Sequence, residues 1–381
     1  MGAPDLTNPD FWKSSKSAVL ANPRDPDALE EASVIQQWMD HQPLLSGHIL
    51  FRTSGSTGRG KWVALAKHAI LASAEAVNDF LTVSSADRWL QTLPTFHVGG
   101  IGIAARAHVS DSQLITYQGG WCAASCYEKL EVDKITFSSF VPTQLADLVK
   151  LSLPAPPLLR AVIIGGGRLD DDLYQRATDL GWPVRETYGM TETSSQVATA
   201  QAHRRELDVL PCWQVKTDDH GRLQMTGAPL LTAYVGIDQE GVCFLEDPKQ
   251  NGWLTSNDLG EVSAGCLTIK GRTDRCVKIL GELISLTDVE VSLTSVLREM
   301  NHGYVDFAVM ALEEKRAGHR LILCIEGDDS LSNMLEVYHA NCHPLHRIEK
   351  VVNFTELPRT GIGKISYAML KKNLAEGEHL K

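Results

Sequence analysis

The sequence has little of what marks membrane, secreted or nucleic-acid-binding proteins. No apolar run approaches the roughly 18 residues that a bilayer-spanning helix needs. The first residues contain neither a basic segment nor the apolar core of a secretory signal. Positive charge is also scarce, because 36 Lys and Arg face 47 Asp and Glu, which gives a net charge of −11. We therefore expect a cytoplasmic protein with no membrane span and no nucleic-acid partner, in which a few placed cations hold any anionic substrate.

Cysteine pairs with metal or redox spacing are lacking as well. The eight cysteines are scattered and none forms a Cys-x-x-Cys motif, so we expect reduced thiols. His339, Cys342, His343 and His346 are close together in HANCHPLH, but Pro344 interrupts the helix that would align them. We interpret this segment as ordinary surface and not as a metal site.

The chain has the length and composition of a globular protein with two or three domains, with 381 residues of which 43% are hydrophobic and 22% charged. Apolar strand-like segments alternate with helical ones up to about residue 200, which predicts an α/β fold with a mainly parallel sheet. Residues 214–270 predict a small, mainly antiparallel β region, and the last part predicts a smaller, mobile α+β domain. We expect an N-terminal domain over 1–271, a hinge over 272–276 and a C-terminal lid domain over 277–381.

A phosphate-binding loop is predicted by TSGSTGRGK, Thr53 to Lys61. Its glycines let the backbone N–H groups approach an anion, its hydroxyl residues add donors and Lys61 adds a charge. The P-loop pattern of NTPases fails at its last position, because Trp62 stands where Ser or Thr must hold magnesium. A mobile surface turn is the structural alternative.

Glycine-rich or polar segments also follow three later strands, at the positions where open α/β sheets bind ligands. FHVGG contains His97, whose position between an apolar strand and a glycine pair is typical of a packed or capping histidine. IIGGGR contains Gly165–Gly167, and ETYGMTE contains Tyr188–Glu192. Each segment alone has a structural explanation as a turn or a strand end.

Seven motifs in order carry a family resemblance: TSGSTGRGK, FHVGG, IGGGR, YGMTE, WLTSNDLGEV, GRTDRCVKILGELIS and PRTGIGKIS. Over about residues 46–375 the sequence resembles the acyl-adenylating enzymes, the superfamily of acyl-CoA ligases, luciferases and non-ribosomal adenylation domains. Through YGMTETSSQ, SFVPTQL and FHVGGIGIAAR it is most similar to the o-succinylbenzoate-CoA ligases of menaquinone biosynthesis. The resemblance implies activation of a carboxylic acid with ATP and Mg²⁺ to an acyl-adenylate, followed by transfer to coenzyme A.

The resemblance also implies site residues. Those expected at the phosphates are Thr53, Ser54, Gly55, Ser56, Thr57, Gly58, Lys61 and Thr191. Glu192 is expected to bind magnesium. Those expected at the adenine and ribose are Gly165, Gly166, Gly167, Tyr188, Gly189, Asp258 and Arg272. His97 and Arg106 are expected at the acyl group, Lys364 at the reacting carboxylate and α-phosphate, Lys278 and Gly281 on a loop near the hinge, and Asp274 at the hinge itself.

The sequence departs from the family pattern in three places. Gly60 replaces proline and Asn257 replaces glycine, and neither change removes a contacting group. Only residues 1–52 precede the phosphate loop, where family members usually have a longer segment with its own sheet, so a shortened N-terminus is expected. That difference leaves the oligomeric state open, with a homodimer as one form.

Two rival functions remain at this point. An adenylation enzyme that loads a carrier-protein thiol would keep the first half-reaction and change the acceptor. A degenerate nucleotide-binding protein would have lost catalytic groups, whereas Glu192 and Lys364 are both present. The preferred substrate is an aromatic keto-dicarboxylic acid, with Arg106 as the cation for its second carboxylate.

Overall fold

The computed structural model describes residues 4–53, 61–300, 305–327, 332–361 and 363–376. The chain forms two compact units. The first contains Met1–Thr217, Gln224–Thr255 and Val262–Thr268, and the second contains Asp218–Leu223, Ser256–Glu261 and Ile269–Lys381. The predicted boundaries at 271 and 277 stay predictions.

The helices and strands up to residue 272 are, in chain order, α1 (Pro9–Lys13), β1 (Ala18–Leu20), α2 (Pro26–Met39), β2 (His48–Thr53), β3 (Lys61–Ala66), α3 (Lys67–Leu81), β4 (Arg88–Gln91), α4 (Val98–Val109), β5 (Gln113–Thr116), α5 (Ala123–Val132), β6 (Phe137–Phe140), α6 (Pro142–Lys150), β7 (Ala161–Ile164), α7 (Asp171–Asp179), β8 (Val184–Tyr188), β9 (Ala198–Ala200), β10 (Leu207–Val209), β11 (Trp213–Thr217), β12 (Arg222–Gly227), β13 (Ala233–Ile237), β14 (Cys243–Glu246), β15 (Leu254–Ser263) and β16 (Cys266–Arg272).

A parallel sheet forms the centre of the first unit. Strands β8, β7, β6, β4 and β5 lie side by side and all pair parallel. The segments AVII of β7 and FSSF of β6 are buried throughout, as expected for strands covered on both faces. Residues of α5, α6 and α7 pack on this sheet in one hydrophobic cluster. The predicted α/β class is confirmed, and the carboxyl ends of these strands share one edge.

A second, five-stranded sheet carries the predicted phosphate-loop flanks. Its order is β1, β2, β3, β13, β14, with β1 parallel to β2 and the other neighbours antiparallel. The structure thus divides the predicted antiparallel β region of 214–270. Strands β13 and β14 join this sheet, whereas β11, β12, β15 and β16 belong to the eleven-stranded sheet that contains β4–β10.

The second unit contains the remaining elements, β17 (Cys276–Ile279), β18 (Glu282–Ser285), α8 (Leu286–Glu299), β19 (Phe307–Glu314), β20 (Gly318–Glu326), α9 (Ser332–Asn341), β21 (Ile348–Phe354) and α10 (Tyr367–Glu376). Strands β17 and β18 form a hairpin, and β19, β20 and β21 form a sheet. Alternate residues of β20 enter two hydrophobic clusters, Leu321 and Leu323 with residues of α8 and α9, and Ile322 and Cys324 with Leu370 of α10. Both faces of this sheet are therefore covered, and the predicted α+β character is confirmed.

Two further observations concern the chain as a whole. All eight cysteines are free thiols. In the part of the chain that the structure describes, no helix is both long and apolar enough to span a bilayer.

Candidate active site

The flanks of the predicted phosphate loop form a paired strand end. Thr53 of β2 lies opposite Lys61 of β3, and its Oγ1 donates to the Lys61 carbonyl oxygen at 3.2 Å. The two strands pair antiparallel along their whole length, from His48 with Ala66 to Thr53 with Lys61. The predicted residues Ser54, Gly55, Ser56, Thr57 and Gly58 lie outside the described residues.

Lys61 lies between an aromatic ring and a carboxylate. Its Nζ is 4.8 Å from the centre of the Tyr234 ring and 3.4 Å from Oε2 of Glu246. Both partners of the ion pair are about half exposed, so the pair contributes little to stability. Lys61 is therefore oriented by its neighbours and still accessible to a ligand.

The segment after β8 is a tightly folded loop. A Cβ on Gly189 would lie only 1.5 Å from the Ser195 carbonyl oxygen, so no larger residue fits there. Ser194 and Ser195 have φ angles of 51° and 101°, which are unfavourable for residues with a side chain. The Thr193 hydroxyl accepts a hydrogen bond from the Met190 N–H at 3.0 Å, and this contact within the loop stabilises its conformation. Strain of this kind is typical of ligand-binding turns.

Glu192 in this loop is anchored through both backbone and side chain. Its carbonyl oxygen accepts from the Leu231 N–H at 2.8 Å, and its Oε1 accepts from the Tyr234 hydroxyl at 3.0 Å. The preceding Thr191 begins a short 3₁₀ turn that ends at Thr193. The predicted magnesium ligand thus has a defined orientation, and Tyr234 connects it to Lys61.

The glycines after β7 lie at the neighbouring strand end. The Gly165 N–H donates to the Phe140 carbonyl oxygen at 3.2 Å, and a Cβ on Gly165 would lie 2.9 Å from Oγ1 of Thr187. Gly166 has a φ of 82°. Since β7 and β8 are adjacent and parallel, Gly165–Gly167 and Tyr188 lie at the same edge of the sheet. This placement agrees with the expected adenine site, whose individual residue roles stay predictions.

The predicted acyl-group histidine precedes helix α4. His97 is the N-cap residue of α4, and its ring lies 4.8 Å from that of Phe96. Gly100 permits the close approach of this helix to the preceding turn, because a Cβ there would lie 2.1 Å from the Pro94 carbonyl oxygen. The glycine pair after His97 therefore has a packing role that places α4 against the end of β4.

Arg106 on α4 is a buried cation. Its residue surface is 2% exposed, its Nη1 lies 3.4 Å from Oγ of Ser139, and its guanidinium is 5.5 Å from the Trp89 ring centre. Among the described residues, no carboxylate pairs with Arg106 and its Nε has no hydrogen-bond partner. Burial lowers the pKa of Arg106 to about 9. A buried charge without a counter-ion is costly, so this site favours an anion.

Asp258, Arg272 and Asp274 form an ion network within the second unit. The Arg272 Nη1 donates to Oδ1 of Asp258 at 2.8 Å, and its Nε and Nη2 donate to the two oxygens of Asp274 at 2.9 and 2.8 Å. Hydrogen bonding to Asp274, together with the charges of both carboxylates, raises the pKa of Arg272. The structure thus brings together the predicted ribose residues and the predicted hinge residue.

Lys364 lies in the turn between Arg359 and Ile365, which form a β-bridge. The Thr360 N–H donates to the Lys364 carbonyl oxygen at 2.7 Å. Burial, with a contribution from the charge of Arg272, lowers the pKa of Lys364 to about 8. The ammonium of Lys364 is therefore destabilised by its surroundings, and its role at a bound anion stays a prediction.

Lys278 and Gly281 lie on the β17–β18 hairpin and are exposed. The Lys278 carbonyl oxygen is 3.0 Å from Nδ1 of His319, while Leu280 and Gly281 have φ angles of 51° and 90° at the hairpin tip. This left-handed pair is typical of a two-residue hairpin turn. In the described part of the chain, no hydrogen bond or ion pair joins either residue to Lys364 or Arg272, and their roles stay predictions.

The HANCHPLH segment has local contacts of its own. His339 Nε2 accepts from the Ile348 N–H at 3.2 Å, and the His343 and His346 rings lie 5.5 Å apart. Within the described ranges, no group of three or more His, Cys, Asp or Glu is arranged to hold a metal ion.

Sequence reasoning missed the residues that surround the predicted cations: Trp89, Ser139, Tyr234 and Glu246. Each lies in a strand or at a strand end, where its residue type is ordinary for a β-strand and gives no sign of a site. Strand pairing could have located Tyr234, had the register of β3 and β13 been known. Its contact with Glu192, 42 residues away in the chain, has no local signal.

Comparison with known proteins finds a matching family model and several similar enzymes. Residues 16–249 match the family model described as AMP-binding enzyme. The 2-succinylbenzoate–CoA ligase of Salmonella typhimurium is 30% identical, with 85% of this chain and 68% of that protein covered. The probable 2-succinylbenzoate–CoA ligase of Mycobacterium tuberculosis is 28% identical, with 95% and 92% covered.

Solved structures of the o-succinylbenzoate CoA synthetase of Bacillus subtilis are similar as well. Its complex with the acyl-adenylate OSB-AMP is 25% identical with a TM-score of 0.72, and its complex with ATP and magnesium is 25% identical with a TM-score of 0.70. These matches cover 85% of this chain in both cases, and 68% and 69% of the solved chains. The chain spans 66% of the length of the curated B. subtilis relative. With more than half of its residues matched by the family model, the chain belongs to the AMP-binding enzyme family.

Proposed function

We propose that this protein is an AMP-forming ligase that activates a carboxylic acid with ATP and transfers the acyl group to coenzyme A. The observation that carries the proposal is the grouping of Gly165–Gly167, Tyr188 and Glu192 at adjacent carboxyl ends of a parallel sheet, with Lys61 linked to Glu192 through Tyr234. Ligands bind at this edge in open α/β folds. Family membership and the similarity to CoA ligases support the same reaction.

The residues present fit ATP and a magnesium ion. Glu192 offers a carboxylate, the hard oxygen ligand that Mg²⁺ prefers. Gly189 packs closely against the Ser195 carbonyl oxygen. The turn between Tyr188 and Met190 therefore has no side chain that would obstruct a nucleotide. The ion, when bound, neutralises charge on the phosphates.

The chain's own residues then supply positioning and cations. In the first half-reaction a substrate carboxylate oxygen bonds to the α-phosphorus while the bond to pyrophosphate breaks. Lys61 and the Thr191 hydroxyl donate to phosphate oxygens, and Tyr188 packs against the adenine. Asp258 accepts from ribose hydroxyls with Arg272 beside it. Because two anions react, such cations stabilise the transition state more than the separate substrates.

The preferred acid is o-succinylbenzoate or a related aromatic keto-dicarboxylate. Such a substrate has a second carboxylate that does not react, and the buried Arg106 has no acidic partner among the described residues. An Arg–carboxylate contact in a dry site would compensate both charges. His97, the N-cap residue of the helix that carries Arg106, is assigned to the acyl group with it.

The second half-reaction takes the acyl group to a thiol, with AMP leaving as the thiol sulfur bonds to the acyl carbon. Lys364 serves the first half-reaction, and Lys278 and Gly281 serve the second. The chain pivots near Asp274 between the two half-reactions. Loading of a carrier protein is the alternative acceptor chemistry. Cytoplasmic location and a homodimer are part of this proposal as well.

The test is ATP–pyrophosphate exchange across a panel of acids, followed by thioester formation with free coenzyme A or with a carrier protein. We expect exchange to be fastest with o-succinylbenzoate and CoA to be the better acceptor. A benzoic or fatty monocarboxylic acid with higher kcat/KM would contradict the substrate assignment. Absence of exchange with every acid would contradict the ligase itself.

A further inference from the structure

Tyr234 lies between the two charged groups that the proposed reaction places at the phosphates. On the five-stranded sheet, Tyr234 of β13 pairs with Val63 of β3 and with Glu246 of β14. Lys61 is two residues from Val63 on the same strand and therefore on the same face. Diagonal neighbours on one face are within reach of a long side chain, which explains the 4.8 Å contact of the Lys61 ammonium with the Tyr234 ring.

The hydroxyl of the same side chain reaches Glu192. It donates to Oε1 at 3.0 Å, and the backbone of Leu231, three residues earlier, donates to the Glu192 carbonyl oxygen at 2.8 Å. Lys249 Nζ in turn contacts the carbonyl oxygens of Leu231 and Thr232 at 3.0 and 2.6 Å. The segment 231–234 is thus held in place and holds Glu192 at two points.

The Tyr234 hydroxyl is the donor in this contact, because a carboxylate oxygen can only accept a hydrogen bond. Among the described residues, no other side chain donates to Glu192, so its Oε2 is available to a cation.

We propose that Tyr234 is a positioning residue that sets the distance between Lys61 and Glu192, with its ring holding the cation and its hydroxyl orienting the carboxylate for a divalent metal. This inference rests on the proposed function for the identity of the ligand. It assigns separate tasks to two parts of one side chain: the hydroxyl serves metal binding, and the ring serves binding of the phosphate chain through Lys61.

Two variants separate these tasks, and a third is a matched control. Tyr234→Phe removes only the hydroxyl, and Tyr234→Leu removes the ring as well. Tyr127→Phe is the control, because the Tyr127 hydroxyl is also partly buried and donates to the Pro154 carbonyl oxygen at 2.9 Å and to Glu131 at 3.3 Å. Binding is measured without any acid, so no reaction occurs. Mn²⁺ binding with ATP present is followed by electron paramagnetic resonance, and ATP binding in a chelator is followed by calorimetry.

We expect Tyr234→Phe to weaken Mn²⁺ binding by about 10-fold or more, as for other groups that orient metal ligands. Metal-free ATP binding should stay unchanged in Tyr234→Phe and weaken by about two- to five-fold in Tyr234→Leu, since a cation–π contact at a half-exposed site is modest. Tyr127→Phe should change neither constant.

Unchanged Mn²⁺ binding in a folded Tyr234→Phe protein would overturn the proposal, as would equal losses in Tyr127→Phe. Melting curves of all three variants identify any loss that comes from unfolding. The outcome is independent of the ligase assignment: an absence of exchange activity in the wild-type protein would remove the proposed function, while the binding comparison still decides whether Tyr234 positions Glu192.

Discussion

Arg106 and Arg272 are both predicted to meet a substrate, yet their surroundings are opposite. Arg272 contacts the carboxylates of Asp258 and Asp274 and has a raised pKa. Arg106 is almost fully buried and has a lowered pKa, and no carboxylate of the described residues pairs with it. The described residues provide Arg272 with two carboxylates and Arg106 with none, and we propose that a ligand supplies the anion at Arg106. A substrate anion should therefore gain far more from Arg106 than from Arg272.

Lys364 extends the comparison, since its pKa is also lowered and it forms no ion pair with a described residue. We expect Lys364→Ala to reduce acyl-adenylate formation by about 10²–10³, the usual cost of removing one charge-stabilising donor. Thioester formation from supplied acyl-adenylate should be largely retained. Measuring the two half-reactions separately checks this, with the exposed Lys371→Ala as control. Equal losses in both halves would indicate a folding defect instead.

Arg106→Met tests the unpaired arginine directly. We expect kcat/KM for o-succinylbenzoate to fall by roughly 10²-fold, because a buried charge pair with the substrate is lost. The free energy of unfolding should rise or stay the same, since an uncompensated buried charge is removed.

Arg160→Met is the matched control for this change. Arg160 contacts both oxygens of the buried Asp87 at 2.9 and 2.8 Å. Its replacement should lower the unfolding midpoint, because Asp87 loses its counter-ion, while the preference for dicarboxylates stays unchanged. A stability loss in Arg106→Met as large as that in Arg160→Met would show that Arg106 is a structural residue.

The pH dependence of the first half-reaction sharpens the role of Lys364. The pKa of about 8 means that the ammonium is present below pH 8 and is lost as the pH rises above it. The kcat/KM for adenylation, which reports the ionisation of the free enzyme, should therefore fall above about pH 8, by up to about tenfold per pH unit. In Lys364→Arg the charge persists, because a guanidinium stays protonated, so this alkaline decrease should disappear from the residual activity. A decrease of the same shape in Lys364→Arg assigns it to another group.

Glu246→Gln should have the smallest effect, because it removes a carboxylate that already pairs with a cation, as Asp258 and Asp274 pair with Arg272. Its ion pair with Lys61 is half exposed and contributes at most about 1 kcal/mol. Removing this competing carboxylate should lower KM for ATP by a few-fold at most, and added salt should reduce the difference. A large rise in KM would mean that Glu246 positions Lys61 for the nucleotide.

Much of the fold was readable from local pattern. Buried apolar runs such as AVII in β7 and LILCI in β20, and the helix that begins at Pro142, can be recognised from neighbouring residues alone. The division of residues 214–270 between two sheets could not be predicted in this way, because it depends on strand partners that are distant in the chain. The same limit applies to the candidate site, where local motifs predict the loop glycines and Glu192 but give no indication of Tyr234.

By itself the sequence determined the α/β class, the order of the motifs and the residue types that a phosphate, a metal and a carboxylate require. Only the tertiary structure decided which charges are compensated. Whether an arginine has a carboxylate beside it depends on contacts between distant segments, as with Arg272 and Asp258, and on burial, as with Arg106. Coulomb interactions and desolvation act through space and not along the chain, so composition and spacing could not distinguish a cation paired with a carboxylate from a buried cation without one.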